Sequence, residues 1–170
     1  MISYQRIVLL VSSIALVVSL GACGFQPLYG TSTTGAHVSS QLAAITVDQQ
    51  NTRTGQLIRN EILSSIGNNG TGEPTRYRLG FTSSADDADR VKTFDSDVVR
   101  KSYQLSVKYT LSDTASGKVV HKGNTFSHIP YDKTIAPFSN YQAKINATER
   151  AAKEVGNDIR TRLAAYFASK

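Results

Sequence analysis

The sequence predicts an α+β domain, a two-layer sandwich with two helices packed on one face of a four-stranded sheet. Three observations predict it. Tyr103, Leu105, Val107, Tyr109 and Leu111 alternate with Ser102, Gln104, Ser106, Lys108, Thr110 and Ser112. Such alternation gives a strand one buried face and one wet face, as in an antiparallel sheet. Two other segments, one short and one long, repeat apolar residues at helical spacing. The elements follow in the order strand, helix, strand, strand, strand, helix. Each helix offers one apolar stripe, so both must cover the same face of the sheet.

Leu42 to Val47 reads as the first strand. Thr54 to Ile66 reads as the first helix, with Ile58, Ile62 and Ile66 every fourth residue and Leu63 beside them. Gly67-Asn68-Asn69-Gly70 ends it with residues suited to left-handed backbone. Thr75 to Ser83 is the second strand, with Tyr77, Leu79 and Phe81 on one side and Arg76, Arg78 and Gly80 on the other. Residues 84–98 carry Asp86, Asp87, Asp89, Asp95 and Asp97 and read as a long turn or hairpin tip. The third strand is Ser102 to Ser112, and Asp113 to Lys118 supplies a hairpin turn. Val119 to Ile129 returns as the fourth strand. Its pattern is imperfect, because Val120 and Phe126 share a parity with Lys122, and Gly123 suggests a bulge. The last helix runs from about Asn140 to Phe167, with a stripe of Tyr141, Ile145, Thr148, Ala152, Val155, Ile159, Leu163 and Tyr166. Pro137 reads as a stop to any earlier helix.

Ahead of the domain, Arg6 precedes an apolar run from Ile7 to Leu20, and Leu20-Gly21-Ala22-Cys23 closes it. A charged start, an apolar stretch and small residues at the end are the parts of a secretory signal. The run is short for a permanent bilayer span. A leucine, two small residues and a cysteine resemble a lipobox, so residues 1–22 are expected to be removed and Cys23 to be lipidated. An uncleaved signal anchor or an ordinary secreted protein is the alternative. The expected organisation is 1–22 signal, 23–40 lipidated N-terminus and Ser/Thr/Gly-rich tether, and 41–170 a single α+β domain. Cys23 is the one cysteine in the chain, so no disulfide is available to the fold. Gly24 stands where an aspartate would resemble an inner-membrane retention signal, which points to the outer membrane.

Loss of Arg6 with the signal leaves 18 Lys and Arg against 13 Asp and Glu, a formal charge of +5. Basic character beside a membrane suits anionic partners such as phosphorylated headgroups, and it also suits plain solubility. Nucleic acid is not among the expected partners. His37 falls in the tether, and His121 and His128 are seven residues apart, an odd spacing that puts them on opposite strand faces unless a bulge shifts the register. Three or four converging ligands are needed for a metal site, so no metal and no other cofactor is expected. The aspartates of residues 84–98 lack the glycine and closing glutamate of a calcium loop. No phosphate loop, HExxH or GxSxG occurs, and the chain is expected not to be an enzyme. The basic residues Arg76, Arg78, Arg90, Lys92, Arg100, Lys101 and Lys108 are expected to gather on one side around the second and third strands. They read as a solvated face or as a surface that meets phosphates or a polar barrel wall.

The run Gly24-Phe25-Gln26-Pro27-Leu28-Tyr29-Gly30 after the lipobox resembles the start of the LptE family of lipopolysaccharide-assembly outer-membrane lipoproteins. Tyr109 to Asp113 with Gly117-Lys118-Val119 resembles that family's central hairpin. Ala147, Glu149-Arg150-Ala151, Ile159 and Arg162-Leu163 resemble its C-terminal helix. The resemblance implies two helices on a four-stranded sheet, and a lipid-anchored position at the periplasmic face of the outer membrane. It further implies a plug for the LptD β-barrel that aids barrel assembly and contacts lipopolysaccharide. Only Cys23 carries over from the family residue by residue. Charge alone nominates Arg90 and Lys92, then Arg76 and Arg78, for lipopolysaccharide contact. An adaptor lipoprotein of another envelope machine is the competing expectation.

Overall fold

The computed structural model describes residues 33–67, 74–92 and 99–170. Its elements are α1 (Thr33–Ala43), β1 (Ile45–Val47), α2 (Arg53–Ser65), β2 (Tyr77–Lys92), β3 (Val99–Asp113), β4 (Val119–Lys133) and α3 (Pro137–Ala168). The strands lie in the order β1-β2-β3-β4. β1 is parallel to β2, and the other pairs are antiparallel. Parallel neighbours need a crossover, and α2 is that crossover. This is the expected α+β sandwich, with a third helix added in front of it.

The added helix replaces the second half of the expected tether. Residues 33–43 are helical, and the first strand shrinks to Ile45–Val47. Val38 and Leu42, four residues apart, are both buried. One such pair is enough to dock a short helix against α3. Surrounding Ser, Thr and Gly hide it in the composition.

α2 follows its sequence signals. The Thr52 hydroxyl accepts from Gly55 N at 3.0 Å and caps the start. Ile58 and Ile62 are fully buried, and Gly67 continues past the end at φ 74. α3 begins earlier than expected. Pro137 opens the helix instead of stopping a previous one, because a missing N–H costs nothing in the first turn. Its buried stripe is Ala147, Ala151, Val155, Ile159, Leu163 and Phe167. Tyr141, expected in that stripe, is 64% exposed, since the first turns of α3 reach beyond the core.

β2 corrects the expected acidic loop. The strand continues through Asp86 and Asp87, which pair with Gln104 and Tyr103. Asp86 faces solvent, and Asp87 accepts from Tyr131 Oη at 3.2 Å. Strand structure is tolerated because both carboxylates are either hydrated or bonded. Residues 93–98 lie outside the described set.

β4 also differs in detail. Leu111 pairs with His121 and Ser112 with Val119, so the extra residue of the bulge is Val120, not Gly123. Gly123 has another cause: a Cβ there would sit 2.6 Å from the Tyr109 hydroxyl. Only glycine lets the Tyr109 ring lie against this strand. Inward on β4 stand Gly123, Thr125 and Ser127, the last two buried. Outward stands Phe126, 64% exposed. Among the described residues, the helices therefore cover one face of the sheet and leave the other bare.

Candidate functional site

The bare face is built by the even-numbered positions of β2 and β3 and their partners on β4. Arg78, Thr82, Ser106, Lys108, Thr110, Asn124 and His128 are all exposed along it. Phe126 meets the His128 ring edge-on at 5.3 Å between centroids. The face is polar, broad and continuous, with one aromatic residue near its β4 edge.

The basic residues do not form one patch on it. Arg76 and Arg78 stand at the start of β2, while Arg90 and Lys92 stand at its far end. At about 3.3 Å per residue, Arg78 and Lys92 are roughly 45 Å apart. The sequence missed this because the acidic stretch reads as a turn that would fold the two groups together. Arg78 Nε donates to Asp48 Oδ1 at 2.6 Å, and this bond and the carboxylate charge hold the guanidinium pKa up. The Arg76 guanidinium lies 5.5 Å over the Tyr77 ring. Arg100 donates to Asp132 at 3.0 Å across the β3–β4 pair. Arg90 is the extra residue of a second bulge, between Asp89 and Val91. The side chains of Arg90 and Lys92, and the whole of Cys23, lie outside what the structure describes.

The histidines sit as expected, on opposite faces. His121 pairs with buried Leu111, and His128 with Gln104 on the bare side. His121 stacks on Tyr166 at 4.8 Å. Burial, and then the nearby Arg162 charge, push its pKa below the ordinary value. Among the described residues no group of three His, Cys, Asp or Glu could hold a metal. The Ser127 hydroxyl donates to Glu154 at 2.6 Å, while His128 points to the other side of the sheet.

A groove on the helix side had no counterpart in the sequence reading. It lies between the start of α2, the far half of β2 and β3, and the first turns of α3, with a volume of about 470 Å³. Leu57, Tyr103 and Ile145 give it apolar walls, and Arg53, Asp87 and Lys144 bring charge to it. Lys144 Nζ donates to Asp87, which raises the lysine pKa. This shape suits an amphipathic ligand more than a fully polar one. The elements that form it are separated by over eighty residues of sequence, so no local motif could announce it.

No family model and no curated protein matches this chain. Solved structures do. A protein of Caulobacter crescentus CB15 named as a lipoprotein is similar over 79% of this chain and 98% of its own, at 28% identity and a TM-score of 0.67. A minor lipoprotein of Acinetobacter baumannii shares the fold over 71% of this chain and 88% of its own, at 10% identity and a TM-score of 0.52. The rare lipoprotein B of Shewanella oneidensis superposes more loosely, over 71% and 92% of the two chains, at 12% identity and a TM-score of 0.48. The chain is thus similar to a bacterial lipoprotein in sequence and fold, and to a second in fold.

Proposed function

We propose that this protein is a non-enzymatic subunit of the outer-membrane lipopolysaccharide translocon. It is anchored by lipid on Cys23, plugs and helps assemble the LptD barrel, and touches lipopolysaccharide during its delivery to the cell surface. The observation that carries the reading is the one-sided sandwich itself. Helices cover one face, and the other presents a broad row of Ser, Thr, Asn, Gln and Lys. A polar strand face of this kind complements the polar inner wall of a large barrel. The run Gly24 to Gly30 and the lipoprotein neighbours support the same assignment.

Crosslinking from outer membranes, with the captured protein and lipid identified, tests the reading. Capture of a large barrel protein together with lipopolysaccharide is expected, as is loss of surface lipopolysaccharide on depletion. Normal barrel folding in depleted cells would overturn it. Capture of a different envelope machine would make the protein an adaptor of that machine. Charge reversal of Arg90 and Lys92 to Glu is expected to weaken lipopolysaccharide binding and leave the fold intact. Unchanged binding would move the contact to the end of the sheet that holds Arg76 and Arg78.

A further inference from the structure

The turn from β4 into α3 displays apolar side chains to solvent. Ile135 is 79% exposed, Phe138 74% and Tyr141 64%. Single exposed apolar residues are ordinary, but three within seven positions form a patch. The turn that carries them is held firmly. Asn140 Oδ1 accepts from Thr134 N at 2.7 Å, and Asn140 Nδ2 donates to Thr134 O at 2.7 Å. Ala136 N donates to the Thr134 hydroxyl at 3.2 Å. The patch is therefore shaped before anything binds it, which lowers the cost of binding.

Its surroundings are cationic. Lys133 precedes the turn and is exposed, while Lys144 follows it with its charge paired to Asp87. Two carboxylates of the neighbouring strands are already bonded to cations, Asp132 to Arg100 and Asp87 to Lys144. An apolar tip with a tyrosine beside it and Lys133 at its rim matches the layers of an anionic bilayer surface: acyl chains, then the interface, then phosphates.

We infer that the β4–α3 corner is a bilayer-contact site. Ile135 and Phe138 enter the acyl boundary of an anionic phospholipid leaflet, Tyr141 lies at headgroup level, and Lys133 meets phosphates. The inference rests on the chain being a membrane-anchored lipoprotein, which the mass of the purified protein checks separately by the added acyl groups.

The sequence contains no tryptophan, so a single introduced one reports its own surroundings. The full chain carrying Phe138→Trp, purified from membranes, is reconstituted through its anchor into vesicles containing brominated phosphatidylglycerol. Val119→Trp, at a site 58% exposed at the opposite end of β4, is the control. Quenching several-fold stronger at position 138 than at 119 is expected, and weaker when Lys133→Glu is added. Equal quenching at both positions, or none at 138, overturns the inference. So does blue-shifted but unquenched emission from the Phe138→Trp variant, which would mean an apolar protein pocket. Circular dichroism confirms folding of each variant, and Tyr141→Trp replaces Phe138→Trp if the latter misfolds.

Discussion

β3 and β4 are neighbours of 15 residues each, paired along their whole length. They build the same core by opposite means. β3 sends Tyr103, Leu105, Val107, Tyr109 and Leu111 into it, all nearly inaccessible to water. β4 sends Gly123, Thr125 and Ser127, and then Ile129, only partly buried. The cause lies above the strands. α3 is tied down along β4: Tyr166 stacks on His121, Glu154 accepts from Ser127, and Arg150 Nη2 donates to the Pro130 carbonyl at 3.4 Å. A helix held that close leaves room for hydrogen and hydroxyl groups, not for leucine. β3 meets α3 less closely and must fill its space with large side chains. What a strand buries is set by the distance to the layer it meets, as much as by its own alternation.

If this contrast is right, removing volume hurts β3 most. Leu105→Ala, at a fully buried site, is expected to cost about 2–5 kcal/mol in urea unfolding. A cost near zero would break the comparison at once. On β4, adding volume should hurt. Gly123→Ala places a methyl 2.6 Å from the Tyr109 hydroxyl and is expected to cost about 1–3 kcal/mol. Combining it with Tyr109→Leu should relieve part of that loss, and strict additivity of the two changes would show that the contact is not the reason. Ser127→Ala removes a hydroxyl bonded to Glu154 and is expected to cost about 1 kcal/mol, read in the same assay.

The smallest effect is a pH dependence on the β4 side. The folded protein favours neutral His121, because burial and Arg162 lower its pKa. The unfolded chain takes up the proton near the ordinary value of about 6.5. Stability from this group is thus complete above that pH and falls as pH drops toward the lowered folded value. Thermal unfolding should show a decline on the acid side of neutrality that is shallower in His121→Gln. Asp113 loses stability in a different window. Bonds from the Ser116 N–H and hydroxyl lower its pKa, so its contribution is present above the ordinary carboxylate range and lost as pH falls through the depressed value. A decline unchanged by His121→Gln would remove the histidine from the account.

The same contrast explains what could be read from the chain. β3 was legible because its large residues alternate without a break. The Ile58–Ile62–Ile66 stripe of α2 was legible for the matching reason at a period near four. β4 was legible as a strand but its buried face was not, because its most conspicuous aromatic, Phe126, faces solvent while its buried positions are Thr125 and Ser127. α1 was hidden by having one apolar pair in eleven residues. The acidic half of β2 looked like a loop because Asp87 finds its partners on β4 and α3, far away in sequence, and Asp86 faces solvent. For the candidate surface, residue types were legible and placement was not. Arg76 and Arg78 were expected beside Arg90 and Lys92, and a continuous strand separates them. The groove and the exposed corner before α3 depend on three elements meeting, which no single stretch of sequence records.

The Val120 bulge has a consequence for behaviour at high concentration. β4 is the last strand of the described sheet, and its outer rim offers a long row of main-chain donors and acceptors with Phe126 alongside. A flat rim of that length invites another copy to add a strand and start aggregation. The bulge bends one end of the rim, Pro130 removes a donor near the other, and Lys122 places charge between them. Straightening this edge, for instance by Pro130→Val with Lys122→Val, should leave the monomer folded and make it precipitate.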